Sequence, residues 1–444
     1  MVALSAIVAA AWYGALLLQR DAGLTTFGYD QAYFQQLVWN LDRGNGFVSS
    51  WGQGSFLGLH FEPLLALPAA IELVWPDPRV LSLLAAGSLG ALVAAAYAFL
   101  SALTGRPALA AALAAPLPLW PAVQEATRAN FHPETIGLGA ALMAGWAALG
   151  GRRWLMWALA VLALSAKEDQ GWNLLVVGLA VSAVSAAPEV RGLGRRLVVL
   201  GLAWGLVVIG LLMPLIRFGR HVDTDSYYSW LASASPGAIL HALMLPAGWL
   251  AAMAMLACCG GLPLLRPAWL ALAAPPLAAD LLSAHGPQPL LHLQYALPLV
   301  VPVLAAAALA ARRLTAGPWV AVLAVVPALL GLVLGSLPPA PGNPDPGAFS
   351  RPPALARLQA CTGAVSASAP VAADDPLTVR LASRPSVREL TKAGPDDYLV
   401  VDRQALLPAY VDRAARARLL AESGRQALCD DGRFLVLGPW RSDA

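Results

Sequence analysis

The chain has 444 residues, of which 58% are hydrophobic and only 12% charged, with a net charge of +3 and a mean hydropathy of +0.63. A soluble domain carries roughly one-quarter charged residues, so a water-soluble fold of this length is disfavoured. The basic residues are dispersed among apolar runs and form no stripe, which argues against nucleic acid as a partner.

Eleven apolar stretches of helical length follow one another: Val2 to Leu18, Val80 to Leu103, Ala108 to Ala122, Thr135 to Leu149, Trp154 to Ala166, Gly171 to Ala187, Leu197 to Ile216, Ile239 to Ala257, Trp269 to Ala284, Leu291 to Ala311 and Trp319 to Leu334. They predict an α-helical polytopic membrane protein with about eleven transmembrane helices, in which membrane lipids are direct partners. Several stretches fall short of the roughly 20 residues of a straight span, so their polar-looking ends should be partly buried. Val2 to Leu18 has no basic n-region and reads as a retained first span. Between the first two stretches, Gln31 to Leu41 is amphipathic, with Phe34, Leu37, Val38 and Leu41 on one face and Asp30 placed as an N-cap. Leu57 to Trp75 is apolar but contains His60, Glu62, Pro63, Pro68 and Glu72. It reads as an interfacial or re-entrant segment flanked by Trp51 and Trp75. Residues 19–78 thus form a first external loop with interfacial helices.

Arg106, Arg152 with Arg153, then Arg191, Arg195 and Arg196, then Arg266, and finally Arg312 with Arg313 occupy alternate short loops. The positive-inside rule makes these cytoplasmic, which puts the amino terminus inside and the carboxyl-terminal part outside. After the membrane domain, residues 1–336, the chain turns to a Pro/Gly-rich linker, 337–350, and a small α/β extracytoplasmic domain, 351–444. There short apolar runs (Tyr398 to Val401, Phe434 to Leu437) alternate with helical segments (Ala354 to Gln359, Pro408 to Ala421). Cys361 and Cys429 can form a disulfide if this part is exported, whereas Cys258 and Cys259 lie in an apolar run.

This topology gathers ionisable residues on the non-cytoplasmic side: Asp30, His60 and Glu62; Glu125, Arg128, His132 and Glu134; Lys167, Glu168 and Asp169; Arg217, Arg220, His221, Asp223 and Asp225; His285 and His292. His241 lies near the same face. Phe131-His132-Pro133-Glu134 also reads as a helix start. Lys167-Glu168-Asp169 differs, because three consecutive charges interrupt apolar sequence, and charge at membrane depth marks function. His221, Asp223 and Asp225 fit a divalent cation or a solvated loop, and His285 and His292 with Tyr295 fit a ligand or interfacial anchoring. No phosphate-cradling glycine loop, HExxH pair or nucleophile elbow is present.

Tyr29-Asp30-Gln31, Trp39-Asn40 with Gly44, Leu59-His60 with Pro63, Phe131-His132-Pro133-Glu134, Lys167-Glu168-Asp169 and His292 with Tyr295 and Pro298 occur together and in this order. They resemble the bacterial membrane-protein family catalogued as domain of unknown function 2079, over most of the chain. That family looks related to the glycosyltransferase C superfamily. The resemblance implies a multi-pass protein of the bacterial inner membrane that moves a sugar from a polyprenyl-phosphate carrier to an acceptor outside the cytoplasm. It places the catalytic acid of the first external loop at Asp30, with Tyr29 before it and Gln31 after it. His60, Glu62, Arg128, His132, Glu134, Lys167, Glu168, Asp169, Arg217, Arg220, His292 and Tyr295 are then candidates for binding substrate or lipid phosphate. Asp30, His132, Glu134 and Glu168 are candidates for holding a divalent cation. Two rival readings stand beside this one: a transporter or flippase of a lipid-linked or small polar substrate, and a non-catalytic protein that presents its soluble tail.

Overall fold

A computed structural model describes residues 1–220, 223–341, 343–422 and 424–440. Among them, six helices are long and apolar enough to cross a membrane: Val2–Gly23, Arg79–Thr104, Pro188–Arg217, Pro236–Cys258, Leu293–Ala311 and Gly317–Leu334. Four expected spans fall on shorter apolar helices, Pro107–Leu119, Glu134–Leu149, Arg153–Leu164 and Gln170–Val184. Trp269 to Ala284 is broken into the turns Pro267–Leu270, Ala271–Ala273 and Ala274–Leu281. Proline accounts for both interruptions. Pro116, Pro118 and Pro121 break the first of these helices after Ala114, and Pro275 with Pro276 restart the last, because proline lacks the N–H that would continue the ladder. Leu57 to Trp75 contains the Pro63–Glu72 helix, about 15 Å at 1.5 Å per residue, half the hydrocarbon thickness.

The chain divides into two compact units, the first made of Met1–Tyr13, Leu57–Leu64 and Ala85–Pro344, the second of Gly14–Phe56, Leu65–Leu84 and Asp345–Ala444. In the first unit the helices Gln170–Val184 and Pro188–Arg217 meet along a glycine seam. A Cβ on Gly171 would stand 2.5 Å from the Gly201 carbonyl oxygen, and one on Gly178 would stand 2.6 Å from that of Gly194. Small residues are how apolar helices reach such separations in lipid, where the gain comes from van der Waals contact. Both helices lead to polar residues: Gln170 follows Asp169 directly, and the far end of the partner helix carries Arg217.

In the second unit a five-stranded sheet has the order β2-β1-β3-β5-β4, with β1 (Val371–Ala373), β2 (Val387–Glu389), β3 (Tyr398–Asp402), β4 (Ala427–Asp430) and β5 (Phe434–Leu437). The β1–β2 and β1–β3 pairs are parallel, and β3–β5 and β4–β5 are antiparallel. The expected strands coincide with β3 and β5, and the Cys361–Cys429 disulfide is formed, tying the Leu355–Thr362 helix to β4. The hydrophobic core under this sheet is shared: Leu24 and Ala32 pack with Leu358, Val371, Leu377, Val400 and Phe434, and Trp51 lies against them. The carboxyl-terminal domain therefore shares its unit with residues 14–56 and 65–84.

Candidate active site

In the first unit the polar groups form around the connection between Arg153–Leu164 and Gln170–Val184. Lys167 Nζ donates to Glu134 Oε1 at 2.5 Å. Glu168 is held through both oxygens, one 2.9 Å from His60 Nδ1 and the other accepting the Phe61 N–H at 2.9 Å. Leu64 N–H donates to the Ser165 carbonyl at 2.8 Å. The 57–64 segment and the Lys167 connection are thus laced together, which brings His60, Glu62, Glu134, Lys167, Glu168 and Asp169 into one cluster. It is largely buried: Glu62 and Glu134 are inaccessible, and the side chains of Lys167 and Glu168 keep only 13% and 14% of their surface. Glu62 Oε2 and Glu134 Oε2 have no hydrogen-bond partner among the described residues. Burial opposes the charge on Glu168, but His60, Lys167 and the hydrogen bonds that the carboxylate accepts together outweigh it and hold the carboxyl below its usual range. Burial, with Glu168 and Glu134 nearby, pushes Asp169 above its own. His132 is buried and stands near Glu134.

The remaining candidates of this unit lie in neighbouring arrangements. Arg128 donates to Glu125 at 2.9 Å, and Glu125 also accepts the Leu293 N–H at 3.1 Å. Leu291 and Leu293 flank His292 with φ of 55° and 57°, a left-handed conformation that costs a leucine energy and recurs at functional positions. His292 is exposed, and Tyr295 packs edge-on to His285. Arg217 donates to the Gly58 carbonyl at 2.7 Å and to Asp225 at 2.9 Å, and so anchors the 57–64 segment from the other side, while Arg220 is exposed. His221 lies outside the described residues, as does the side chain of Asp223. Sequence reasoning missed Asp280, a buried carboxyl that accepts from Gln288 at 3.0 Å through one oxygen while the other has no partner among the described residues. Its signal was there to read: a lone acid inside the apolar run Trp269 to Ala284.

In the second unit Asp30 is half-buried in the first turn of the Gly28–Asp42 helix. It is not the N-cap. That position is Phe27, whose side chain offers no cap, and the buried Gly28 N–H, which has no partner within its own helix, donates to Asp375 Oδ1 at 2.8 Å. A Cβ on Gly28 would lie 1.9 Å from the Asp375 carbonyl oxygen, so only glycine permits this approach. Asp375 Oδ2 accepts from the Tyr410 hydroxyl at 2.6 Å. Burial pushes the Asp375 carboxyl up to about 6 against these two hydrogen bonds, with Glu389 and Asp30 adding to the rise. Tyr29 lies edge-on to Trp51 and to Tyr410, with ring centroids 5.8 Å and 6.4 Å apart.

The residues named for a divalent cation do not fit one. Glu134 is committed to Lys167 and Glu168 to His60, and among the described residues no three His, Cys, Asp or Glu side chains stand close enough to hold a metal ion.

The family model described as "Predicted membrane protein (DUF2079)" matches residues 20–423. This chain belongs to that family. It is a multi-pass membrane protein with a fold like that of ArnT from Cupriavidus metallidurans. The crystal structure of ArnT bound to undecaprenyl phosphate superposes with a TM-score of 0.52 at 13% identity over 97% of this chain and 98% of that one. The apo structure of ArnT gives 0.47 at 13% identity over 95% and 96%. No curated protein matches the sequence. At this identity the likeness concerns fold alone, so the roles of individual side chains in this family member have to be argued from their own chemistry.

Proposed function

We propose that the protein is a membrane glycosyltransferase that moves a sugar from a polyprenyl-phosphate carrier to an acceptor on the outer face of the bacterial inner membrane. One observation carries the reading: a largely buried cluster of Glu62, Glu134, Lys167, Glu168 and Asp169, set at helix breaks of a membrane fold. Such charge is costly in lipid and is retained for chemistry. The ArnT structure was solved with undecaprenyl phosphate bound, which supports a polyprenyl-phosphate donor here. Asp30 is assigned as the base. Its carboxylate takes the acceptor hydroxyl proton as that oxygen bonds to the anomeric carbon, and the bond from that carbon to the carrier phosphate breaks with its electron pair leaving on the phosphate.

The cations divide by surroundings. Lys167 stands among more carboxylates than it can neutralise, which disfavours a phosphate beside it; it is assigned to hold Glu134 and Glu168 in place and, with them, His60. Arg217 and Arg220, at the end of an apolar helix and in contact with solvent, suit a lipid phosphate better and would stabilise its growing charge. Glu62, Glu134 and Asp169 are assigned to binding the sugar, and Arg128, His132, His292 and Tyr295 to binding the sugar and the carrier.

The test offers purified protein in lipid nanodiscs a panel of polyprenyl-phosphate sugars and follows release of polyprenyl phosphate. Release from at least one donor is expected. Substrate movement across proteoliposomes without cleavage of any donor would instead establish a transporter, and neither movement nor cleavage would leave the non-catalytic reading.

A further inference from the structure

The carboxyl-terminal domain and residues 14–56 lie in one unit, and around Asp30 they present aromatic rings to which the donor chemistry gives no task. Tyr29 and Tyr410 are 37% and 56% exposed, although their rings are in edge contact and Trp51 completes the row. Two carboxyls accompany the rings: Asp30 follows Tyr29 directly, and Asp375 takes the Tyr410 hydroxyl at 2.6 Å. The frame beneath is fixed. Asp375 caps the Gly28–Asp42 helix, Gln36 donates to the Arg384 carbonyl at 2.9 Å, and Ser50 both donates to the Val387 carbonyl at 2.7 Å and accepts the Val387 N–H at 3.0 Å. Exposed tyrosines on so rigid a base expend little conformational entropy on contact with a ligand.

We propose that Tyr29, Trp51 and Tyr410, beside Asp30 and Asp375, form the acceptor subsite and bind an uncharged, hydroxyl-rich carbohydrate. Flat aromatic faces cover the C–H faces of a pyranose ring, while the half-buried Asp30 carboxylate accepts from its hydroxyls; Asp375, buried with both oxygens engaged, holds Gly28 and Tyr410 in place. A few convergent polar groups among aromatic rings is the composition of small-ligand sites in general. The two carboxyls, with Glu389 close by, disfavour an anionic acceptor and would repel a phosphate. The carboxyl-terminal domain thereby acquires a task, since it supplies Tyr410 and Asp375 and caps the helix that carries Asp30. This inference rests on the transferase reading for the word acceptor, but the binding it describes is measurable without turnover.

The experiment applies the full-length protein in fluorescent nanodiscs to an array of bacterial-surface oligosaccharides, with donor cleavage measured in parallel. Binding to at least one neutral glycan is expected, weakened tenfold or more by Tyr29→Ala and by Tyr410→Ala. Tyr410→Phe, which keeps the ring, should retain most of it, and Trp440→Ala, which removes an exposed aromatic elsewhere in the same unit, should retain all of it. Absence of binding to any neutral glycan, or losses equal in Tyr410→Ala and Trp440→Ala, would overturn the subsite. Cleavage of donor without glycan binding at these rings sinks the inference alone, whereas glycan binding without cleavage of any donor sinks the transferase reading alone.

Discussion

Lys167 shows how one side chain can hold a cluster together. Its ammonium meets Glu134 at 2.5 Å with almost no solvent to share the charge. Removing one member of a buried ion pair strands the other, at a cost of about 3–5 kcal/mol. Lys167→Met should therefore lower the thermal unfolding midpoint by several degrees, as read by intrinsic fluorescence, and Lys167→Met with Glu134→Gln should recover most of it; no recovery would show that the pair is not what stabilises the cluster. Asp375 tests a residue of the opposite kind. Its folded carboxyl titrates at about 6 against the usual 3.8, so the folded state holds the proton more tightly and the added stability is complete below about pH 4 and lost as pH rises through 6. Asp375→Asn should flatten that pH dependence and leave the protein more stable at pH 7, by up to roughly 3 kcal/mol. Chemical denaturation at pH 4.5 and pH 7 reads the difference, and an unchanged slope would contradict the burial argument. Neither role was visible in the sequence. Lys167 was singled out as a charge in apolar surroundings, but its partner lies 33 positions away, and the cap that Asp375 supplies to Gly28 spans 347.

At the scale of elements, the glycine seam between Gln170–Val184 and Pro188–Arg217 sets where the Lys167 connection and Arg217 stand. Gly171→Val would drive a branched side chain into the Gly201 carbonyl, and overpacking of this kind costs about 1–3 kcal/mol. The expected result is a faster hydrogen–deuterium exchange of residues 165–175 and a fall in donor cleavage; unchanged exchange would mean the seam does not position the cluster. The pattern of apolar runs made helices legible, and the alternating runs Tyr398 to Val401 and Phe434 to Leu437 made two strands legible. The breaks after Ala114 and before Pro275 were not inferred, although Pro116, Pro118, Pro121, Pro275 and Pro276 were in view, because composition alone weighs apolarity and ignores which N–H groups are missing. Asp30 was placed at a cap for a related reason: an acid before an amphipathic run has two possible positions, and only the carboxylate of a distant domain decides between them.

For the whole molecule, the arginine loops predict an extracytoplasmic carboxyl terminus, and the Cys361–Cys429 disulfide is consistent with an oxidising compartment. A carboxyl-terminal alkaline phosphatase fusion should be active and a green fluorescent protein fusion dark; the reverse would invert every loop and move Asp30 to the cytoplasm. The grouping of residues 14–56 with the carboxyl-terminal domain gives Asp30 its setting, but its chemistry is the central claim. The most direct measurement is single-turnover release of polyprenyl phosphate from a donor that the wild-type protein cleaves, compared with Asp30→Asn of equal thermal stability. A loss of about a hundredfold or more is predicted, within the 10²–10⁴ range of a general base; release at the wild-type rate by Asp30→Asn would contradict the account.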